Sequence, residues 1–372
     1  MTNAGQLRVL LVSANFKPSV GGIERYVDNL AHGLAGRGHS VTVAACRTDG
    51  AAKLEQDEGV AIVRIPATDV LDERLNVPYP LPHPVAAWRT LRRLVGEADV
   101  VHAHDALYST SVLSLALARR AQVPAILTQH VAFVPQRRRS LDVAQRAAIA
   151  TLGRSARLAT RVVSYNPEVA AWAADTWRLG EVRVLPPGVP DLPHDVDRSA
   201  VRGALGLPED RFIALFVGRD VPKKGLDLFL AARDPAYELV AVTDRDPSSA
   251  SEGTRILPFL DPTAFRELLA SVDAFVLPSE AEGFPLSLQE ALVTGVPCVV
   301  TRGPGYEHYL REGDVIFVGG DGAEIRDALL RLASDESWRR HLTEQARAAG
   351  RREFGLEPFV SAYEDLYRDV LR

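Results

Sequence analysis

The sequence predicts an α/β protein made of two doubly wound domains, and three observations predict it. At 372 residues the chain exceeds what one ordinary hydrophobic core serves. Short β-branched runs alternate with longer amphipathic stretches along its length, which implies repeated βα units and parallel sheets covered on both faces. A proline-rich stretch without period, "LPPGVPDLPHDVD" from Leu185 to Asp197, interrupts that alternation and reads as a linker.

In order, the first set of strands is expected at 7–15, 40–46, 99–104, 125–130, 161–166 and 182–188. The second is expected at 212–218, 238–244, 254–260, 274–279, 297–302 and 314–319. Helices are expected at 23–36, 109–120, 140–160, 223–232, 262–271, 285–294 and 322–333, several closed by glycine followed by strand.

Composition narrows the function classes. Apolar residues make up 47% and charged residues 24%, enough for two cores without disulfides. The two cysteines, Cys46 and Cys298, lie inside apolar runs and read as buried thiols in a reducing, cytoplasmic setting. The first residues show no signal-peptide pattern and no run approaches a membrane span, so the protein is expected to be neither secreted nor integral to a membrane.

Through Pro190 the chain holds 22 basic and 16 acidic residues, and after it 21 and 32, so the halves carry +6 and −11. The first half is expected to meet something anionic, an anionic membrane surface being one candidate. At about 100° per residue, Arg139, Arg146, Arg154, Arg157 and Arg161 would share one stripe on the expected helix 140–160. Arg137 and Arg138 precede it, and Leu141, Ile149 and Leu152 would face inward.

In a doubly wound sheet, ligands sit beyond the carboxyl ends of the strands, so the segments just after strand runs carry the chemistry. "SANFKPSVGGIERYV" places Gly21 and Gly22 before a helix, where backbone amides can approach a phosphate; a tight turn without ligand fits equally. "FVGRDVPKKGLDLF" sets Arg219, Lys223 and Lys224 after a strand. With only four lysines in the chain, a lysine pair beside an arginine suits a diphosphate.

"PSEAEGFPLSLQEALVTGVPCVVT" holds Glu282 and Glu290 around the start of a helix. Either Ser287 and Glu290 form a capping box, or Pro285 starts the helix and leaves the amides of Leu286 and Ser287 facing an anion. His130 ends the strand "AILTQH". His102 and His104 in "VHAHD" share a strand face with no cysteine or carboxylate cluster nearby, so no metal is expected there. Asp244 to Asp246, "DRD", reads as a solvated turn.

Together "GRDVPKKG" and the two glutamates separated by seven residues resemble the retaining nucleotide-sugar glycosyltransferases of family 4, which have the GT-B fold of two Rossmann-like domains facing across a cleft. The likeness extends to "GGIERYV", "GRGHSVTV", "DVVHAH", "VPAILTQH", "VLPPGV" and "FGLEPFVSAYEDLYRDVL". Pro187 stands where that family usually has Asn, and "VTDRDPSSAS" where it has a glycine-rich turn.

The resemblance implies an acceptor-side domain over 1–187, joined by a C-terminal helix at 356–372, and a nucleotide-sugar-binding domain over 188–355. It further implies that Glu290 bonds the ribose and Glu282 lies by the donor sugar, beside Phe284. Arg219 and Lys224 would neutralise the diphosphate, helped by the amides of Leu286 and Ser287 and approached by Gly21 and Gly22. His130 would face the donor sugar.

The expected activity is transfer of a sugar, UDP-linked by expectation, to a hydroxyl acceptor with retention of configuration. Neither a metal nor a nucleic-acid partner is expected. Alternatives are a nucleotide-sugar epimerase of the same fold and a non-catalytic membrane-surface binding protein, with peripheral attachment at the inner membrane face.

Overall fold

The computed structural model describes residues 5–19, 21–47, 52–71, 79–133, 139–191, 196–279, 285–303 and 307–372. It divides into two compact units, Met1–Gly188 with Leu356–Arg372, and Val189–Gly355.

The first unit is built on eight strands in the order Val182–Val184, Arg161–Ser164, Ala125–Gln129, Val100–His104, Arg8–Val12, Ser40–Cys46, Val60–Ile65 and Leu54–Asp57. All neighbours pair parallel except the last two, which form an antiparallel hairpin. That hairpin was not expected from the sequence. Its turn is Glu58–Gly59, both with positive φ (43° and 89°), the backbone a tight two-residue hairpin requires.

From Arg8–Val12 the chain winds outward one way, then returns to lay Val100–His104 on the other side of that strand. The order reverses between these two strands, so their carboxyl ends form a switch point where ligands bind in such sheets. One face of the sheet packs helices Gly22–Gly36 and Leu356–Val370, the latter burying Phe359, Val360, Tyr363, Leu366 and Tyr367. The two helices approach closely at Gly33, where a Cβ would fall 2.3 Å from the Val360 side chain.

The second unit has six parallel strands in the order Thr254–Leu257, Tyr237–Val242, Phe212–Val217, Ala274–Leu277, Cys298–Thr301 and Ile316–Val318. Its switch point lies between Phe212–Val217 and Ala274–Leu277. Helix Leu286–Thr294 is buried under helix Glu336–Phe354, where a Cβ on Gly350 would lie 2.4 Å from the Leu292 carbonyl carbon. Cys46 and Cys298 are free and buried.

The expected helix 140–160 is not one helix. An α-helix runs Arg139–Thr151, a 3₁₀ segment Leu152–Leu158, and Arg161 opens the strand Arg161–Ser164. The cause is Trp177. Its Nε1 donates to the Ile149 carbonyl at 3.1 Å, taking the acceptor that Gly153 would use in a continuing helix, and its ring lies where a Cβ on Gly153 would stand.

The single arginine stripe therefore does not exist. Arg146, Arg154, Arg157 and Arg178 instead line a cavity of about 730 Å³ with Phe133 and Trp172. Ile149 is buried as expected, whereas Leu152 is exposed. Arg137, Arg138 and the side chains of Arg139 and Leu141 lie outside the described residues. Helices Pro84–Glu97, Pro167–Trp177, Arg198–Ala204 and Glu336–Phe354 were not foreseen.

Candidate active site

In the second unit, strand Phe212–Val217 ends at its switch point and the chain turns through Gly218 and Arg219 into a 3₁₀ turn, Pro222–Lys224. Gly225 follows with φ 73°, and a Cβ there would lie 2.1 Å from the Pro278 carbonyl oxygen. Only glycine fits, and its lack of a side chain lets the basic loop seat against the end of the neighbouring strand. Arg219 is exposed and Lys224 half-buried.

The "DRD" run holds this loop. Asp244 accepts from the Asp220 backbone N–H at 2.6 Å, Arg245 binds Asp220 at 2.7 and 2.9 Å and Asp227 at 2.8 Å, and Asp246 accepts from the Ser248 N–H. Asp244 is thus partnered by an amide of the basic loop and Asp246 by one of its own turn.

Helix Leu286–Thr294 has Pro285 as its N-cap, and no side chain among the described residues caps it. The amides of Leu288 and Gln289 bond the Pro285 carbonyl, so Leu286 and Ser287 are the first two helical residues, whose N–H groups have no intrahelical acceptor. The capping-box alternative fails: Ser287 is inside the helix, and Glu290 is its fifth residue rather than the third that a box requires. Glu290 is 2% exposed, among Leu288, Gln289 and Ala291. Glu282 and Phe284 lie outside the described residues.

In the first unit, Gly21 is the N-cap of helix Gly22–Gly36 in extended conformation, and a Cβ on it would collide with the Glu24 carboxylate. Burial raises the Glu24 pKa. Lys17, in the loop before these glycines, reaches Asp28 at 2.8 Å and Asp57 at 3.0 Å. With His32, the two aspartates are the one group among the described residues close enough to hold a metal ion, and the Lys17 ammonium pairs with both carboxylates.

His130 follows strand Ala125–Gln129 and is 3% exposed. Its ring lies edge-on to Tyr26, centroids 4.8 Å apart. Burial pushes its pKa down to about 3, so the ring is neutral. His102 and His104 are also buried and neutral, His102 at about 3. They are hydrogen-bonded to protein groups: His102 to Tyr367 at 2.8 Å and Thr128 at 2.7 Å, His104 to His130 at 3.0 Å.

The structure thus brings Gly21, Gly22 and His130 to the strand ends of the first unit, and Arg219, Lys224, Leu286, Ser287 and Glu290 to those of the second. The sequence reading missed the ring of polar residues behind His130, which comes from strand register.

A family model described as Glycosyltransferase Family 4 matches residues 20–191, and one described as Glycosyl transferases group 1 matches residues 248–349. The chain is 31% identical over 351 residues to a D-inositol 3-phosphate glycosyltransferase of Geodermatophilus obscurus, covering 83% of this chain and 77% of the relative. It is 27% identical over 423 residues to the protein of that name from Xylanimonas cellulosilytica, covering 98% and 97%. Among solved structures, Anabaena HepE in complex with UDP matches with a TM-score of 0.73 at 18% identity, over 98% of this chain and 100% of that one, a shared fold.

Proposed function

The chain belongs to glycosyltransferase family 4 and has the GT-B fold, and from that premise we propose that it moves a sugar from a UDP-linked donor to a hydroxyl of an anionic acceptor, with retention of anomeric configuration. The observation that carries the donor is the pairing, in one unit, of a basic loop with a helix start that no side chain among the described residues caps. Arg219 and Lys224 supply cations, and the amides of Leu286 and Ser287 supply oriented donors, where a diphosphate develops charge as it leaves. Glu290, a turn further into that helix, takes the ribose hydroxyls.

UDP is favoured because the matching HepE structure holds it. The anionic acceptor is favoured because the two relatives act, by name, on an inositol phosphate, and because the first half of this chain carries +6 where the second carries −11. The first unit's strand end offers the neutral imidazoles of His104 and His130 and a carboxyl, Asp105, already bonded to the His130 amide, which suits a same-face reaction in which the departing phosphate oxygen takes the acceptor's proton as the new glycosidic bond forms. A neutral His130 contributes a hydrogen bond, not a charge.

The test is a thermal-shift screen of UDP-, GDP- and ADP-sugars, followed by transfer assays with phosphorylated polyols and NMR of the product's anomeric centre. A donor at about 100 times its dissociation constant stabilises by about 2.7 kcal/mol. The proposal fails if no nucleotide sugar raises the melting temperature, or if the anomer inverts.

A second surface bears on the partner. Helix Pro84–Glu97 buries Ala87, Leu91, Leu94 and Val95 but exposes Val85 and Trp88, with Leu81 just before it. Arg92 stacks over the Trp88 ring at 5.0 Å, and Arg89 is exposed beside them. An exposed tryptophan among arginines suits the boundary of an anionic lipid layer, and this helix replaces the stripe expected at 139–161 as the docking face. Among the described residues no helix is long and apolar enough to cross a membrane.

A further inference from the structure

The "VHAHD" run places His104 and Asp105 at the first unit's switch point, yet the donor chemistry proposed above uses neither. Strands Val100–His104 and Ala125–Gln129 pair in parallel with His104 opposite Thr128. That register brings His104 beside the residue two further on, so that its Nδ1 lies 3.0 Å from Nε2 of His130. Asp105 then accepts the backbone N–H of His130 on Oδ1, also at 3.0 Å. Its φ of 60° is one that Asp and Asn adopt more readily than most residues.

We propose that His104 is a positioning residue that donates from Nδ1 to Nε2 of His130, fixing the tautomer in which His130 presents Nδ1–H to the donor sugar. This rests on the proposed function and on the family resemblance, which implies that His130 faces that sugar.

Both rings are neutral, so each carries one N–H, and one proton lies between the facing nitrogens. Were that proton on His130, His104 would carry its own on Nε2. Nε2 of His104 is buried and has no hydrogen-bond partner among the described residues. A buried N–H without an acceptor is rarer than a bare buried acceptor. The shared proton therefore belongs to His104 Nδ1, and His130, accepting on Nε2, must hold its own on Nδ1.

The ring has little freedom to do otherwise. His102 lies 4.3 Å from the His104 ring, centroid to centroid, and Tyr26 approaches both His104 and His130 edge-on. Asp105 fixes the backbone of His130 while His104 fixes its side chain, two contacts from consecutive residues.

The experiment is long-range ¹H–¹⁵N NMR of the full chain with labelled histidine, assigned with His130→Ala, together with steady-state kinetics of His104→Asn and His104→Phe. Asn keeps an amide donor near the Nδ1 position; Phe keeps only the ring. The expected result is Nδ1–H on His130 in the wild type and in His104→Asn, and a mixed or switched tautomer in His104→Phe. With misorientation of His130, kcat in His104→Phe falls about 10- to 100-fold while donor KM stays nearly constant, and Asn restores most of it.

Nε2–H on His130 in the wild type overturns the proposal, as does an unchanged tautomer in a folded His104→Phe. Should that variant not fold, the wild-type spectrum decides. Full activity of His130→Ala would overturn the sugar-facing role of His130 while leaving the tautomer assignment standing, so the two failures are distinguishable.

Discussion

The hydroxyls of Tyr26 and Tyr363 meet at 2.5 Å, joining helix Gly22–Gly36 to helix Leu356–Val370 across 337 positions of sequence. Tyr363 also meets the Thr128 hydroxyl at 2.9 Å, Thr128 meets His102, and His102 meets Tyr367, so the distant helix is bonded to the strands that carry His104 and His130. Tyr363→Phe keeps the ring and removes two buried hydrogen bonds. The expected cost is about 1 to 3 kcal/mol, read as a lower urea midpoint at unchanged slope. An unchanged midpoint would show that the chain of hydroxyls contributes nothing.

Replacing Arg219 or Lys224 with alanine should lower turnover about a hundredfold or more and leave the fold intact, since both sit on a polar loop and are proposed to neutralise the leaving diphosphate. Circular dichroism and donor turnover check the two halves of that statement. Near wild-type turnover in either variant would remove that residue from the phosphate site.

Glu290→Gln separates binding from packing. Glutamine has nearly the same shape and fits the same buried position in helix Leu286–Thr294. The melting temperature should hold while donor affinity falls, measured by titration with UDP. Equal affinity would end the ribose assignment.

The buried histidines set the acid limit of the fold. His102 and His130, at about 3, and His104, also lowered, stay neutral in the folded chain but titrate near 6.5 when unfolded. Their contribution is present above pH 6.5 and is lost as pH falls toward 3. Asp105 runs the other way. Burial raises its carboxyl to about 7, so its contribution is present below about 3.9 and is lost as pH rises through 7.

Between about pH 4 and 6 these four groups together bind about two more protons in the unfolded chain than in the folded one, three imidazoles against one carboxyl. Stability should fall by about 2.7 kcal/mol per unit of acidification. Urea unfolding at several pH values checks this, and His104→Asn should reduce the slope by about one proton. A flat profile would contradict the burial of neutral imidazoles.

On vesicles, the protein should co-sediment with anionic and not with neutral lipid at low salt, and lose the preference at high salt as the Debye length drops below about 8 Å. Trp88→Ala and Arg92→Glu should each weaken it. No anionic preference at low salt would remove helix Pro84–Glu97 as a docking face.

The strands were legible because parallel sheets bury both faces, so Phe212–Val217 and Tyr237–Val242 read as continuous apolar runs. The basic loop and the glutamate pair were legible as residue types following strands. Helix Pro167–Trp177 was missed although Asn166 caps it, accepting from the Glu168 amide at 2.7 Å, with Pro167 at its first position, a start signal printed in the sequence.

The break at Leu152 was not legible, because the Trp177 ring that causes it lies 28 positions from the carbonyl it takes. The pairing of His104 with His130 depends on which strand lies beside which and in what register, and periodicity along one strand carries neither.

The helix Leu356–Val370 fills a face of a core whose other residues come from the first half of the chain, while the second unit is one uninterrupted stretch, Val189–Gly355. During synthesis, then, the unit made second has all of its parts first. The earlier segment lacks the partners of Tyr26, Gly33 and His102 until residues 356 to 370 emerge, an interval of roughly ten to forty seconds at about 5–20 residues per second. Completeness of the two units along this chain thus runs opposite to their order of translation, and the exposed interval is when a chaperone has the most apolar surface to hold.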